Sequence, residues 1–210
     1  MKRNRKKLVC YILAGMAFSL LVLLGGQYGR RLYLQKSIAD KVLRFHVLAN
    51  SNTAEDQELK LKVRDAVGAQ MGELLADAGN RAECEQIVER EMDAIVETAE
   101  DVIRAEGYPY GVQAVLGEGA FPVKTYGNYT FPAGDYEALE VVIGEGAGRN
   151  WWCVMYPNMC FSGSVYEVVD ENSEEALREV LSPEEYEQVF SSGNYEVQFQ
   201  YLPFLNELVE

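Results

Sequence analysis

A single histidine, His46, serves all 210 residues of this chain. No C-x-x-C pair is present, no second Cys/His cluster accompanies His46, and no Asp or Glu occurs before Asp40. Each shortage removes a class of function. Without clustered His and Cys the usual zinc spacings are missing, so no metal site is expected. With one imidazole, any Ser-His-Asp or Cys-His constellation has to pass through His46, with Ser51, Cys153 or Cys160 as nucleophile, and no serine sits in a nucleophile-elbow sequence. Gly144-Glu145-Gly146-Ala147-Gly148 is glycine-rich but lacks the Gly-Lys-Ser/Thr ending of a phosphate loop, and it reads as a hairpin turn. Neither a cofactor nor a small-molecule substrate is implied. Basic residues are scarce as well. The 19 Lys and Arg, less the five at the N-terminus, leave 14 against 33 Asp and Glu, a net charge of −19. That excess disfavours nucleic acid and anionic headgroups as partners and admits a basic protein patch.

What the chain does have is a strongly polarised start. Lys2, Arg3, Arg5, Lys6 and Lys7 precede an apolar run from Leu8 to Leu24. A basic n-region followed by an apolar h-region marks an export segment. Lys and Arg resist translocation, so the N-terminus is expected to stay in the cytoplasm and everything beyond about residue 30 to lie outside. The run of 17 residues is long for an h-region and short of the roughly 20 of a spanning helix. No A-x-A-like site follows it; Gly25 and Gly26 are the small residues nearest its end, while Tyr28 and Tyr33 suit an outer interface. A cleaved signal and an uncleaved membrane anchor both stay open. The division that follows is 1–36 as signal or anchor, 40–165 as an exported α+β domain, and 166–210 as an acidic C-terminal extension.

The fold class read from the pattern is α+β. Residues 42–49 alternate, with Leu43, Phe45 and Val47 on one face and Arg44, His46 and Leu48 on the other, which predicts a strand. Asn52 with Glu55, or Thr53 with Asp56, then offers a capping arrangement. A helix is expected from about 54 to 78 and a second from about 81 to 106, paired as a long αα-hairpin. Residues 110–161 turn rich in Gly, Tyr, Val, Phe and Trp. Strands near 111–118, 121–126, 136–143 and 151–156 with intervening turns, one of them at Gly117-Glu118-Gly119, suggest an antiparallel meander. The last 45 residues hold 12 acids and one base, Arg178. They pattern as a helix over 173–181, a helix opened by Ser182-Pro183-Glu184-Glu185, and a strictly alternating strand over 195–202.

Function by contact therefore outranks function by chemistry. One candidate surface is the charge-dense block Arg44, His46, Asn50, Ser51, Asp56, Lys60, Arg64 and Asp65 around the start of the first helix after the strand. The other is Trp151-Trp152, whose side chains point to opposite faces of a strand, so that one of them has to be covered by another segment or by a partner. Cys153 and Cys160 could form a disulfide around Pro157-Asn158 outside the cytoplasm, or stay two buried thiols.

At these blocks the sequence resembles the stage II sporulation protein R family. The resemblance rests on Arg44 to Ser51 with Asp56-Gln57, on Leu59 to Val67, on Lys124 to Gly127, on Pro132 to Leu139, on Gly144-Glu145-Gly146, on Asn150 to Val154 through Pro157 to Cys160-Phe161, and on Leu181 to Glu187 with the strand after it. These stretches occur in the family's order over about residues 40–202, with Asn52 standing where an acid is commoner. The resemblance implies an exported signalling protein of endospore formers, made in the forespore and released into, or anchored facing, the space between the two membranes. There it would activate, by binding, a membrane-embedded aspartic protease in the mother-cell membrane that processes pro-sigma-E, and would not itself be an enzyme. The competing readings are an exported hydrolase using His46 and a non-catalytic cell-envelope binding module.

Overall fold

The computed structural model describes residues 2–159 and 171–190, with side chains from residue 11 to 159 and from 174. The predicted strand over 195–202 and residue Cys160 lie outside these limits.

The cation-flanked apolar segment forms one unbroken helix, α1 (Lys2–Ala39). At about 1.5 Å per residue it is about 57 Å long, and by length and composition it can cross a membrane. Side chains from Tyr11 to Tyr33 are exposed. Leu34, Ile38 and Ala39 are buried, so the last turns of α1 enter the folded domain.

Strand β1 (Leu43–Leu48) follows after a short turn. The alternation read from the sequence holds, yet both faces are buried, because β1 lies inside a four-stranded sheet of order β2-β5-β1-β6. The other strands of that sheet are β2 (Val112–Phe121), β5 (Gly134–Ile143) and β6 (Asn150–Tyr156). A separate hairpin joins β3 (Lys124–Tyr126) to β4 (Tyr129–Phe131). In place of a meander, β1 inserts between β5 and β6, parallel to the first and antiparallel to the second. The inserted strand supplies Leu43, Phe45 and Val47 to one face, whereas the other face buries Arg44 and His46.

Gly117-Glu118-Gly119 is not a turn. It continues β2, with Gly117 opposite Ala138 and Gly119 opposite Tyr136. Two glycines weaken a strand, but a ten-residue ladder and a large cross-strand neighbour hold this one straight. β2 and β3 are linked through Pro122-Val123, and a turn at Gly127-Asn128 joins β3 to β4, with Gly127 at φ 55°.

Three helices cover one face. α2 (Ala54–Leu74) starts at Thr53, whose Oγ1 accepts from the Asp56 amide at 3.2 Å. The predicted second helix divides into α3 (Arg81–Arg90) and α4 (Met92–Ala105), bent at Glu91 (φ −95°, ψ 8°). Its buried residues Cys84, Val88, Ile95, Ala99 and Ile103 fall mostly at four-residue steps, so a straight helix would carry that stripe about a quarter-turn off the sheet; the bend restores it. These side chains pack with Leu43, Phe45, Val47, Leu59, Val63, Leu139, Val141 and Met155 in one core.

The other face carries a second core, in which Ile38, Val42, Phe121, Phe131, Tyr136 and Val154 meet Leu177, Leu181, Tyr186 and Val189. Leu177 comes from α5 (Glu171–Val180), Leu181 from the link that follows it, and Tyr186 and Val189 from α6 (Pro183–Val189). α6 has the capping box and the first-turn proline read from Ser182-Pro183-Glu184-Glu185. Tyr129 and Tyr186 join their hydroxyls at 2.9 Å, which pins α6 to the β3–β4 hairpin.

Candidate functional site

The predicted contact residues sort along β1 into three groups. At its end lies a knot of polar side chains. Asn50 Oδ1 accepts from the Glu145 amide at 3.0 Å while Asn50 Nδ2 donates to Asp56 Oδ2 at 2.9 Å. Asn52 is not the helix cap; its Oδ1 accepts from the Arg149 amide at 2.9 Å. Lys60 Nζ donates to Gln57 Oε1 at 2.8 Å and to the Arg149 carbonyl at 3.1 Å. Gln57 Nε2 donates to the Ser51 carbonyl at 2.9 Å. The 144–149 turn is thus laced to the start of α2. Gly148 is required there, since a Cβ would lie 2.2 Å from the Ser51 carbonyl oxygen. Hydrogen bonds from Ser51 and Asn50 hold the Asp56 carboxyl below its ordinary range against the opposing effect of burial. Burial, with Arg149 and Arg64 nearby, lowers Lys60.

On the face toward the β3–β4 hairpin, Arg44 is fully buried without a carboxylate partner among the described residues. Its guanidinium lies 4.6 Å from the Phe121 ring centroid, 5.0 Å from Tyr136, 5.2 Å from Phe131 and 5.8 Å from Tyr126. Nη2 donates to the Tyr126 hydroxyl at 3.2 Å; Nε and Nη1 make no hydrogen bond among the described residues. Four quadrupolar faces replace a counter-ion. Burial pulls the Arg44 pKa down, opposed by Tyr126 and Tyr136.

His46, two residues along, stacks on Trp152 (4.9 Å, 10°) and tilts against Phe121 at 5.1 Å. Its Nε2 lies 3.0 Å from Glu140 Oε2. A carboxylate would ordinarily raise an imidazole pKa. Glu140 is 39% exposed and water screens it, whereas burial and then Arg44 act without that screen and lower His46 to about 4. The ring is therefore held neutral at pH 7, with Nε2 beside the Glu140 carboxylate.

On the helix face, Trp151 meets Phe45 edge-on at 5.7 Å, and the Arg64 guanidinium lies 5.0 Å over the indole. Arg64 also donates through Nε to Asp65 Oδ1 at 2.7 Å. Asp65 is exposed. Trp151 and Trp152 do take opposite faces, and both end half-buried. Each indole is covered on one side from within the chain, Trp152 also by Lys124 Nζ at 5.8 Å.

Arg44, His46, Asp56, Lys60 and Arg64 are thus buried, and Asn50, Ser51, Trp151 and Trp152 are half-buried. Cys153 is buried and disulfide-bonded; Cys160, its expected partner, lies outside the described residues. Cys84 is a buried free thiol that burial, with Glu83 and Glu85, pushes up to about 11. Among the described residues no cluster of His, Cys, Asp and Glu could hold a metal ion.

Sequence reasoning missed Glu140 and the aromatic box of Phe121, Tyr126, Phe131 and Tyr136. Their signal was an Arg on an otherwise apolar strand with aromatics recurring downstream. It also missed a second buried charge, Glu185, 3% exposed. Glu185 accepts from Lys41 Nζ at 2.5 Å, from Ser37 Oγ, and from the Ser182 amide at 2.6 Å.

Fold and site together define an α+β domain that carries an N-terminal helix long and apolar enough to cross a membrane. The chain belongs to the stage II sporulation protein R family, whose model matches residues 39–166, and with the family comes a sporulation role. It is similar to the stage II sporulation protein R of Bacillus subtilis (strain 168), 34% identical over 142 residues, which is 68% of this chain and 60% of that protein. The match therefore spans less than two thirds of that relative's length. No solved structure matches the fold.

Proposed function

We propose that this chain is an exported sporulation messenger. Its outer domain activates, by binding, a membrane-embedded aspartic protease in the mother-cell membrane, so that pro-sigma-E is processed. The observation that carries this reading is the family match over residues 39–166, and the site geometry agrees with it. The one imidazole is neutral, stacked on Trp152, tilted against Phe121 and close to Glu140, the setting of a structural side chain and not of a general base poised near pH 7. In this reading the buried Arg44, His46, Asp56, Lys60 and Arg64 set the shape of the contact surface. The partner touches what they present: Asp65, Asn52, the 144–149 turn and the open edges of Trp151 and Trp152. In this reading the bulk of the chain lies in the intermembrane space between forespore and mother cell, held or delivered by residues 8–24; the cation-flanked apolar run supports it.

The test is co-expression of the full chain with the candidate protease and pro-sigma-E in a non-sporulating host. Processing above background is expected, and its absence defeats the activator reading. Asp65→Asn and Trp151→Phe, which keep an acceptor for Arg64 and a ring against Phe45, should lower processing while the domain keeps its melting transition. Replacement of His46 by Gln separates this reading from a hydrolase: processing retained by a folded His46→Gln chain removes the enzymatic alternative.

A further inference from the structure

We infer that the last third of α1 is a structural part of the domain, and that this weld holds α6 in the headgroup layer of the bilayer that α1 crosses. The inference rests on the anchored form of the reading above.

The first cations on either side of the apolar stretch are Lys7 and Arg30, with 22 residues between them. That is about 33 Å of helix, close to the roughly 30 Å of a hydrocarbon core. Arg30 and Arg31 therefore stand at the outer edge of the hydrocarbon, where long cationic side chains reach headgroups. The helix does not stop there. It runs on without a break to Ala39, and four contacts seize it. Arg30 Nε donates to Glu184 Oε1 at 2.7 Å. Ser37 and Lys41 both donate to the buried Glu185. Arg81 Nη1 donates to the Ala39 carbonyl at 3.0 Å, closing the helix end with a positive charge. Gln35 packs so closely on β5 that a Cβ at Gly134 would lie 2.0 Å from its Nε2.

Glu184 and Glu185 open α6. Because Arg30 sits at the hydrocarbon edge and holds Glu184 directly, α6 cannot stand clear of the headgroups. A cavity of about 440 Å³ between α1 and α6, with Arg31 and Gln188 in its wall, lies at that level. Arg30 and Arg31 offset the local acids Glu184 and Glu187, which answers the repulsion the acidic domain would otherwise meet at an anionic surface. β1 starts four residues after α1 ends and runs to the polar knot at residues 50–57. The knot and the 144–149 turn therefore lie at the end of β1 remote from the point where α1 enters.

The test uses the full chain in vesicles of phosphatidylethanolamine and phosphatidylglycerol, with a photocrosslinking amino acid at exposed Gln188 or, as reference, at exposed Asn52. Tethering α6 at the surface should give roughly tenfold more lipid adduct at Gln188 than at Asn52. An eight-residue Gly-Ser insertion between Tyr28 and Gly29, which leaves every contact above intact, should abolish that difference without moving the melting temperature. Equal adducts at the two positions, or a difference that survives the insertion, would overturn the weld. Intact mass of the vesicle-bound chain separates the two ways to fail. A chain shortened near Gly25-Gly26 removes the anchored reading and the inference together, whereas a full-length chain with equal adducts removes the inference alone.

Discussion

Two buried charges on the same face of the sheet are treated in opposite ways. Glu185 collects Lys41, Ser37 and the Ser182 amide. Burial alone would raise its carboxyl, yet the donors from Lys41, Ser37 and Ser182 outweigh burial and hold it down at about 2. Arg44 collects aromatic faces and one hydroxyl, and burial wins, lowering its pKa. Partners, and not burial, decide whether an ion inside this domain is stabilised. The difference also separates two jobs: Glu185 ties α1 to α6, whereas Arg44 fills a box.

The sharpest way to break this comparison is to remove Glu185. Glu185→Ala deletes a helix cap and leaves Lys41 without its anion, so a loss of about 3 kcal/mol is expected in urea unfolding. A loss below about 1 kcal/mol would show that the tie is superficial.

The pH dependence sharpens it further. Glu185 has a folded pKa lowered from 4.5 to about 2. Its contribution is complete above the unfolded value and disappears as pH falls from about 4.5 through about 2. His46 is lowered from 6.5 to about 4. Between those values the unfolded chain binds the proton and the folded chain does not, so stability also falls on acidification, in a window above that of Glu185. Glu185→Gln should flatten the lower segment of a stability–pH curve and His46→Gln the upper one; a single variant that flattens both would show the two regions to be coupled.

In the polar knot, Asn50→Ala removes the bond to Asp56 and the acceptor of the Glu145 amide. About 1–2 kcal/mol should be lost, with faster hydrogen exchange confined to Glu145 and its neighbours. For Arg44 the expectation is smaller and of either sign. Arg44→Met keeps the volume and drops the charge, and should change stability by less than about 1 kcal/mol or raise it. A loss as large as that of Glu185→Ala would mean that the guanidinium, and not its bulk, is what the box needs. The smallest effect belongs to Cys84, which should resist alkylation in the folded protein until the chain is unfolded, as a buried thiol raised to about 11 does.

Much of the fold was legible along the chain because the signals were local. The cation-flanked apolar run, the alternation of residues 43–48, the cap before α2 and the capping box of α6 are each written within a few residues. The contact residues were legible by type and not by role. Asn50, Asp56 and Lys60 were recognised as a polar cluster, but their partners Glu145 and Arg149 lie about ninety residues on. Gly117 and Gly119 misled because glycine marks a turn only where no neighbouring strand holds the backbone extended.

By itself the sequence determined the apolar N-terminal helix with its cationic flank and most of the helices and strands with their amphipathic faces, since charge asymmetry and periodicity act through nearest neighbours. Only the tertiary structure decided that β1 lies between β5 and β6, that Arg44 is boxed by aromatics from four later strands, and that α1 ends inside the domain. Strand order and the partners of a buried charge depend on contacts between distant residues, and no local pattern encodes which distant residue arrives.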